Sequence, residues 1–98
     1  MELKIKKEKI EKGKLVEVSK SPKIITYFDG NKFFAFSGIC PHAKWPLEMG
    51  KVEDKRLTCA GHGWEFDITN GICTSNPGRD LTNYRILEKN EEIIISNE

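Results

Sequence analysis

Glutamine is absent from this chain of 98 residues, histidine occurs only twice and cysteine only three times. An odd cysteine count does not suit a disulfide framework, and two of the three cysteines sit beside the histidines, so metal binding is the better reading. Long apolar runs are missing too: no window approaches the length that spans a bilayer. The segment from Met1 to Lys14 alternates Lys and Glu with single apolar residues and lacks the apolar stretch of a signal peptide, so a cytoplasmic protein that does not enter a membrane is expected. Neither charge sign dominates. Sixteen Lys and Arg are interspersed with fifteen Asp and Glu for a net charge of +1, which leaves no broad basic face for nucleic acid. No apolar period near 3.6 persists for three turns, and no Gly-rich phosphate loop follows a strand. Repeats, low-complexity tracts and linkers are also lacking, so residues 1–98 read as a single unit with no room for a separate catalytic domain.

What is present is a series of short apolar and β-branched runs: Leu15 to Val18, Ile24 to Phe28, Phe33 to Phe36, Arg56 to Cys59, Trp64 to Phe66, Tyr84 to Leu87 and Ile93 to Ile95. Each has strand length and composition. Asp29-Gly30-Asn31 and Asn90-Glu91 separate neighbouring runs in the manner of hairpin turns, so antiparallel pairing and a mainly β fold are expected. One helical turn fits Glu8 to Lys12 before Gly13. The charged segment Glu2 to Lys14 reads as a solvated edge strand or turn. Gly38 to Lys51 and Asn76 to Leu81 collect Gly and Pro and read as functional loops.

The chemistry lies in Cys40-Pro41-His42 and, after positions 43–58, Cys59-Ala60-Gly61-His62. Each short segment offers one thiolate and one imidazole, a donor set that suits zinc or iron. Common zinc fingers place two cysteines in one pair and two histidines in the other, whereas both pairs here are mixed. That mixture leaves zinc open. It also permits both sulfurs to meet one iron and both imidazoles to meet a second. Taken singly, a His or Cys is more often a packed core residue than a ligand. Four at this spacing favour ligation by Cys40, His42, Cys59 and His62.

These loops resemble those of small Rieske-type [2Fe-2S] ferredoxins that serve oxygenases. The likeness is carried by Cys40-Pro-His-Ala-Lys-Trp-Pro-Leu47 and Cys59-Ala-Gly-His-Gly-Trp-Glu-Phe-Asp67, followed by Gly71 and Pro77. It covers roughly the whole chain and is strongest from Phe33 to Gly78. It implies an antiparallel β-sandwich base with a small inserted cluster-binding lobe at approximately 38–80, one [2Fe-2S] cluster, and electron transfer as the chemistry. Such relatives often carry Gly two positions after the first ligand histidine. Here that position is Lys44, which tolerates positive φ poorly, so a different turn is expected.

The resemblance also bears on redox behaviour. In high-potential relatives of respiratory complexes a disulfide joins the ligand loops, and its cysteines would match Trp45 and Gly61. A serine and a tyrosine stand there where this chain has Trp64 and Phe66. With bridge and hydroxyl donors missing, the implied potential is low, roughly −150 mV. Pro46 and Pro77 would border the imidazole edge, and partners would dock on a tip formed by His42, Lys44, Trp45, His62 and Pro77.

The function expected is that of a one-electron carrier, a monomer, between a flavin reductase and a terminal oxygenase, without catalysis of its own. Two other readings are a zinc-stapled protein-binding module and an accessory subunit resembling the small subunit of nitrite reductases. Both histidines are claimed by metal, so none is left for a nucleophilic triad. Cys73 reads as a buried structural thiol. Trp45 and Trp64 fit core packing and cluster shielding equally well. Gly61 and Gly63 would make tight turns that present backbone N–H groups to sulfur.

Overall fold

A computed structural model describes residues 2–41, 44–61 and 63–97. The apolar runs become strands, each a little longer than its apolar centre because pairing recruits the flanking polar residues. In chain order these are β1 (Glu2–Lys6), β2 (Leu15–Lys20), β3 (Lys23–Phe28), β4 (Phe33–Ser37), β5 (Lys51–Glu53), β6 (Arg56–Thr58), β7 (Glu65–Asp67), β8 (Arg85–Glu88) and β9 (Glu92–Ser96). Two single 3-10 turns, Lys7–Lys9 and Leu47–Met49, are the helical segments among the described residues. The helical turn expected over Glu8 to Lys12 thus lies one residue earlier and is shorter. β1 is the expected edge strand, and β5 has no counterpart in the sequence reading.

Three antiparallel sheets result, with strand orders β1-β9-β8, β2-β3-β4 and β5-β6-β7. Both expected hairpins form, β3 with β4 and β8 with β9. The first has a local cause: Asp29 Oδ1 accepts the backbone N–H groups of Asn31 and Lys32 at 2.8 and 2.7 Å, an Asx turn that closes on itself.

The central sheet is covered on both faces. Because successive side chains of a strand point oppositely, Ile24 and Ile25 enter different cores, and both are fully buried. Ile24 and Ala35, with Val16, Val18, Phe28 and Phe33, pack against Ile93, Ile95, Leu3, Ile5 and Ile86 of the first sheet. Ile25 and Phe36, with Tyr27 and Phe34, pack against Leu57 and Phe66 of the third. Coverage on both faces explains the near-continuous apolar run of β3. At about 1.5–3 kcal/mol for each fully buried large side chain, these two cores dominate the fold. Thr26, the buried polar residue of β3, donates its hydroxyl to the Val16 carbonyl at 3.1 Å, which removes the penalty of an unpaired buried donor.

Candidate metal centre

Cys40 and Cys59 each begin a loop that closes a β-hairpin. The first leaves β4: Leu47 N–H donates to Gly38 O, Cys40 N–H donates to Trp45 O, and Lys44 N–H returns to Cys40 O, each at 2.9 Å. The second is the β6–β7 hairpin, where Cys59 N–H donates to Trp64 O at 2.8 Å. In each loop the cysteine amide therefore closes on the carbonyl of a tryptophan five positions on. The similarity of the two segments is thus one of backbone geometry as well as of sequence.

These hairpins bring Cys40 and Cys59 together. Both are buried, and they belong to the core cluster that also contains Leu47, Leu57 and Phe66. Burial pushes the Cys59 thiol up from its ordinary value; a backbone N–H from Gly61 pulls it down, and the hydrogen-bonded Cys40 thiol beside it raises it again. Gly63, at φ +72, occupies the left-handed region that its lack of a side chain allows.

All three cysteines are free thiols. Two adjacent buried thiols not closed into a disulfide form a soft donor pair that fits one iron of a [2Fe-2S] cluster, and a bound cation would offset the cost of ionising them there. Among the described residues no third Cys, Asp or Glu converges on this pair. His42 and His62, the other two predicted ligands, lie outside the described residues, as does Ala43.

Lys44 departs from expectation. Its φ is +58, so it takes the left-handed conformation that a lysine disfavours rather than adopting another turn. The cause lies in the loop: Lys44 N–H must reach Cys40 O while Trp45 O receives the Cys40 amide, and only a left-handed residue between these two bonds closes so tight a hairpin.

The tryptophans divide their roles. Trp64 packs against the core cluster that holds both cysteines, whereas Trp45 is 40% exposed and lies over Gly61. Phe66 is fully buried. Cys73 is a buried member of the same cluster, its amide donating to Asp80 Oδ1 at 2.8 Å. That bond fastens the third loop, as does Leu81 N–H to Gly71 O at 2.7 Å. Pro77 is exposed on this loop. Sequence reasoning missed the Asp80 cap and the contact of Trp45 with Gly61. The cap follows an Asp seven positions after its partner, a spacing that carries no local signal. The aromatic contact had only the coincidence of a large and a null side chain on opposite loops.

Comparison with known proteins places these observations. The model of the Rieske [2Fe-2S] domain matches residues 3–85. Chlorophyllide a oxygenase of Oryza sativa subsp. japonica is 40% identical over 47 residues, 48% of this chain, and the match takes in 8% of that enzyme's length. Among solved structures, the ferredoxin of carbazole 1,9a-dioxygenase from Nocardioides aromaticivorans IC177 superposes with a TM-score of 0.86 at 20% identity, over 96% of this chain and 94% of that one. A putative nitrite reductase NADPH (small subunit) oxidoreductase protein superposes equally well, with a TM-score of 0.86 at 13% identity over 97% of both chains. At these identities the structures establish a shared fold, and the family match over most of the chain agrees with the paired hairpins and their adjacent thiols. By fold, loop geometry and sequence, the chain belongs to the Rieske [2Fe-2S] domain family.

Proposed function

We propose that the chain is a one-electron carrier in which Cys40 and Cys59 hold one iron of a [2Fe-2S] cluster and His42 and His62 hold the other. The observation that carries this reading is the pair of buried, unbridged thiols that two matched hairpins set side by side. His42 and His62, two and three positions after these cysteines in the sequence, are the remaining donors of this reading. Residues 38–80 make the lobe that carries the cluster, on the base formed by the rest of residues 1–98.

When bound, the cluster supplies a site that gains and loses one electron, at a potential raised above that of all-thiolate clusters because two neutral imidazoles replace two thiolates. The chain's own residues do the rest. Buried Leu47, Leu57 and Phe66 keep water from the sulfurs, the Gly61 amide donates to one of them, and neither Trp64 nor Phe66 brings a hydroxyl. A potential near the low end of the Rieske range, about −150 mV, follows.

The acceptor is a terminal oxygenase and the donor a reductase; the fold shared with a ferredoxin of a dioxygenase supports this. Partners dock on the tip formed by His42, Lys44, Trp45, His62 and Pro77. Lys44, Trp45 and Pro77 are exposed there, and exposed Ile39 and Met49 extend apolar surface along the first loop and the turn after it. We place the protein in the cytoplasm, as a monomer. An odd cysteine count, with no disulfide framework, suits a reducing compartment, and among the described residues no helix is long and apolar enough to cross a membrane.

The test is protein made with ample iron and sulfide and kept from air. A coloured product with two irons and two sulfides per chain, a paramagnetic reduced state and a midpoint near −150 mV is expected. Colourless protein binding one divalent ion would replace the carrier by a zinc-stapled binding module. Protein binding no metal would favour an accessory subunit.

A further inference from the structure

Trp45 is placed unlike the other aromatic residues of the ligand loops. Its backbone belongs to the first loop, where its carbonyl receives the Cys40 amide at 2.9 Å. Its indole belongs to the second: a methyl group built on Gly61 would overlap the ring at Cδ1 and Nε1 and come within 2.6 Å of Cε2. Gly61 in turn lies two residues after Cys59 in the second loop. A single residue thus touches the peptide that holds one sulfur and the peptide that serves the other.

The backbone at Gly61 does not explain why that position is glycine. Gly61 is outside the positive-φ set formed by Gly13, Gly30, Gly63, Gly71 and Gly78, so an alanine would be conformationally tolerated. What excludes a side chain is the indole. Trp45 is 40% exposed, so its value does not lie in filling a core.

We propose that Trp45 is a positioning residue, a noncovalent clasp that ties the two ligand loops together by seating its indole on Gly61, two residues from Cys59. This rests on the reading of Cys59 as a cluster ligand. Opening the clasp frees the second loop from the first, exposes the sulfurs and lets the Gly61 peptide move away from Cys59. Hydrogen bonds to cluster sulfur raise the potential, so the clasped protein has the higher potential.

The test is a cycle of Trp45→Ala, Gly61→Ala and the double variant in the cluster-loaded full chain, with Trp45→Phe as the conservative replacement. Trp45→Ala and Gly61→Ala are each expected to speed cluster loss to a chelator roughly tenfold, the scale of losing an outer-shell partner, and to lower the midpoint potential. The double variant should be no worse than Trp45→Ala alone, because the added methyl has then nothing to displace. Trp45→Phe should retain most of the wild-type behaviour. Additive effects, or an unchanged potential in Trp45→Ala, would overturn the proposal. Amide hydrogen exchange at Gly61 separates this outcome from failure of the carrier reading: it should accelerate in Trp45→Ala whatever metal the protein holds. Unchanged exchange would overturn the clasp even in a protein that proved to bind zinc.

Discussion

At the scale of single residues, the ligand loops rest on positions that sequence chemistry disfavours. Lys44 takes φ +58, a region that costs an L-residue with a side chain roughly 1–2 kcal/mol. Lys44→Gly should therefore be more stable than Lys44→Ala by about 1 kcal/mol, measured by denaturant unfolding of the two variants. Equal stabilities would mean that the loop does not hold this conformation. The lysine was legible as a departure from the family pattern, but the direction of the outcome was not. Sequence propensity favoured another turn, and two backbone hydrogen bonds around Cys40 overrode it. Cys40 and Cys59 were legible as a candidate donor pair from their spacing beside histidines, and the structure buries both in one core cluster; His42 and His62 lie outside the described residues. The Gly61 and Trp45 contact was not legible, since nothing local joins residues on separate hairpins.

At the scale of elements, the turn Leu47–Met49 that follows the first ligand loop is braced to the central sheet by one lysine. Lys23 Nζ lies 2.6 Å from Glu17 Oε2 and 2.8 Å from Glu48 Oε2, joining β2, β3 and that turn. Lys23 is held above its ordinary value of 10.5 by its bonds to Glu17 and then Glu48, and Glu17 is held below 4.5 by its bond to Lys23. A depressed carboxylate contributes stability that is complete above its unfolded value and is lost as pH falls through the folded one; a raised lysine contributes stability that is complete below its unfolded value and is lost as pH rises through the folded one. The brace should therefore be intact between pH 4.5 and 10.5. Lys23→Met should lower stability within that window and flatten its acid limb, as followed by thermal unfolding across pH. A parallel acid limb would remove the brace from the account. Most strands could be read from their apolar runs, and the β3–β4 hairpin from the Asp29-Gly30-Asn31 turn between them. β5 could not: Lys51–Glu53 is short and charged at both ends, and it is a strand only because β6 pairs with it.

For the whole molecule, the central sheet divides the interior into one core that faces β1, β8 and β9 and another that holds the cysteines. The short apolar runs foretold strands but not that β3 is buried on both faces, since such a run does not reveal how many layers cover it. The division implies unequal dependence on metal. Chelation should accelerate amide exchange at Leu57 and Phe66 more than at Ile24 and Ile95, and uniform acceleration would indicate one undivided core. Leu57→Ala in the metal-dependent core should cost about 2–5 kcal/mol, read from denaturant unfolding. The most direct test of the central claim is Mössbauer spectroscopy of the oxidised protein enriched in iron-57. Two quadrupole doublets of equal area are predicted, one for iron held by Cys40 and Cys59 and one for iron held by His42 and His62. A single doublet from equivalent irons, or a chain that takes up no iron, would contradict it.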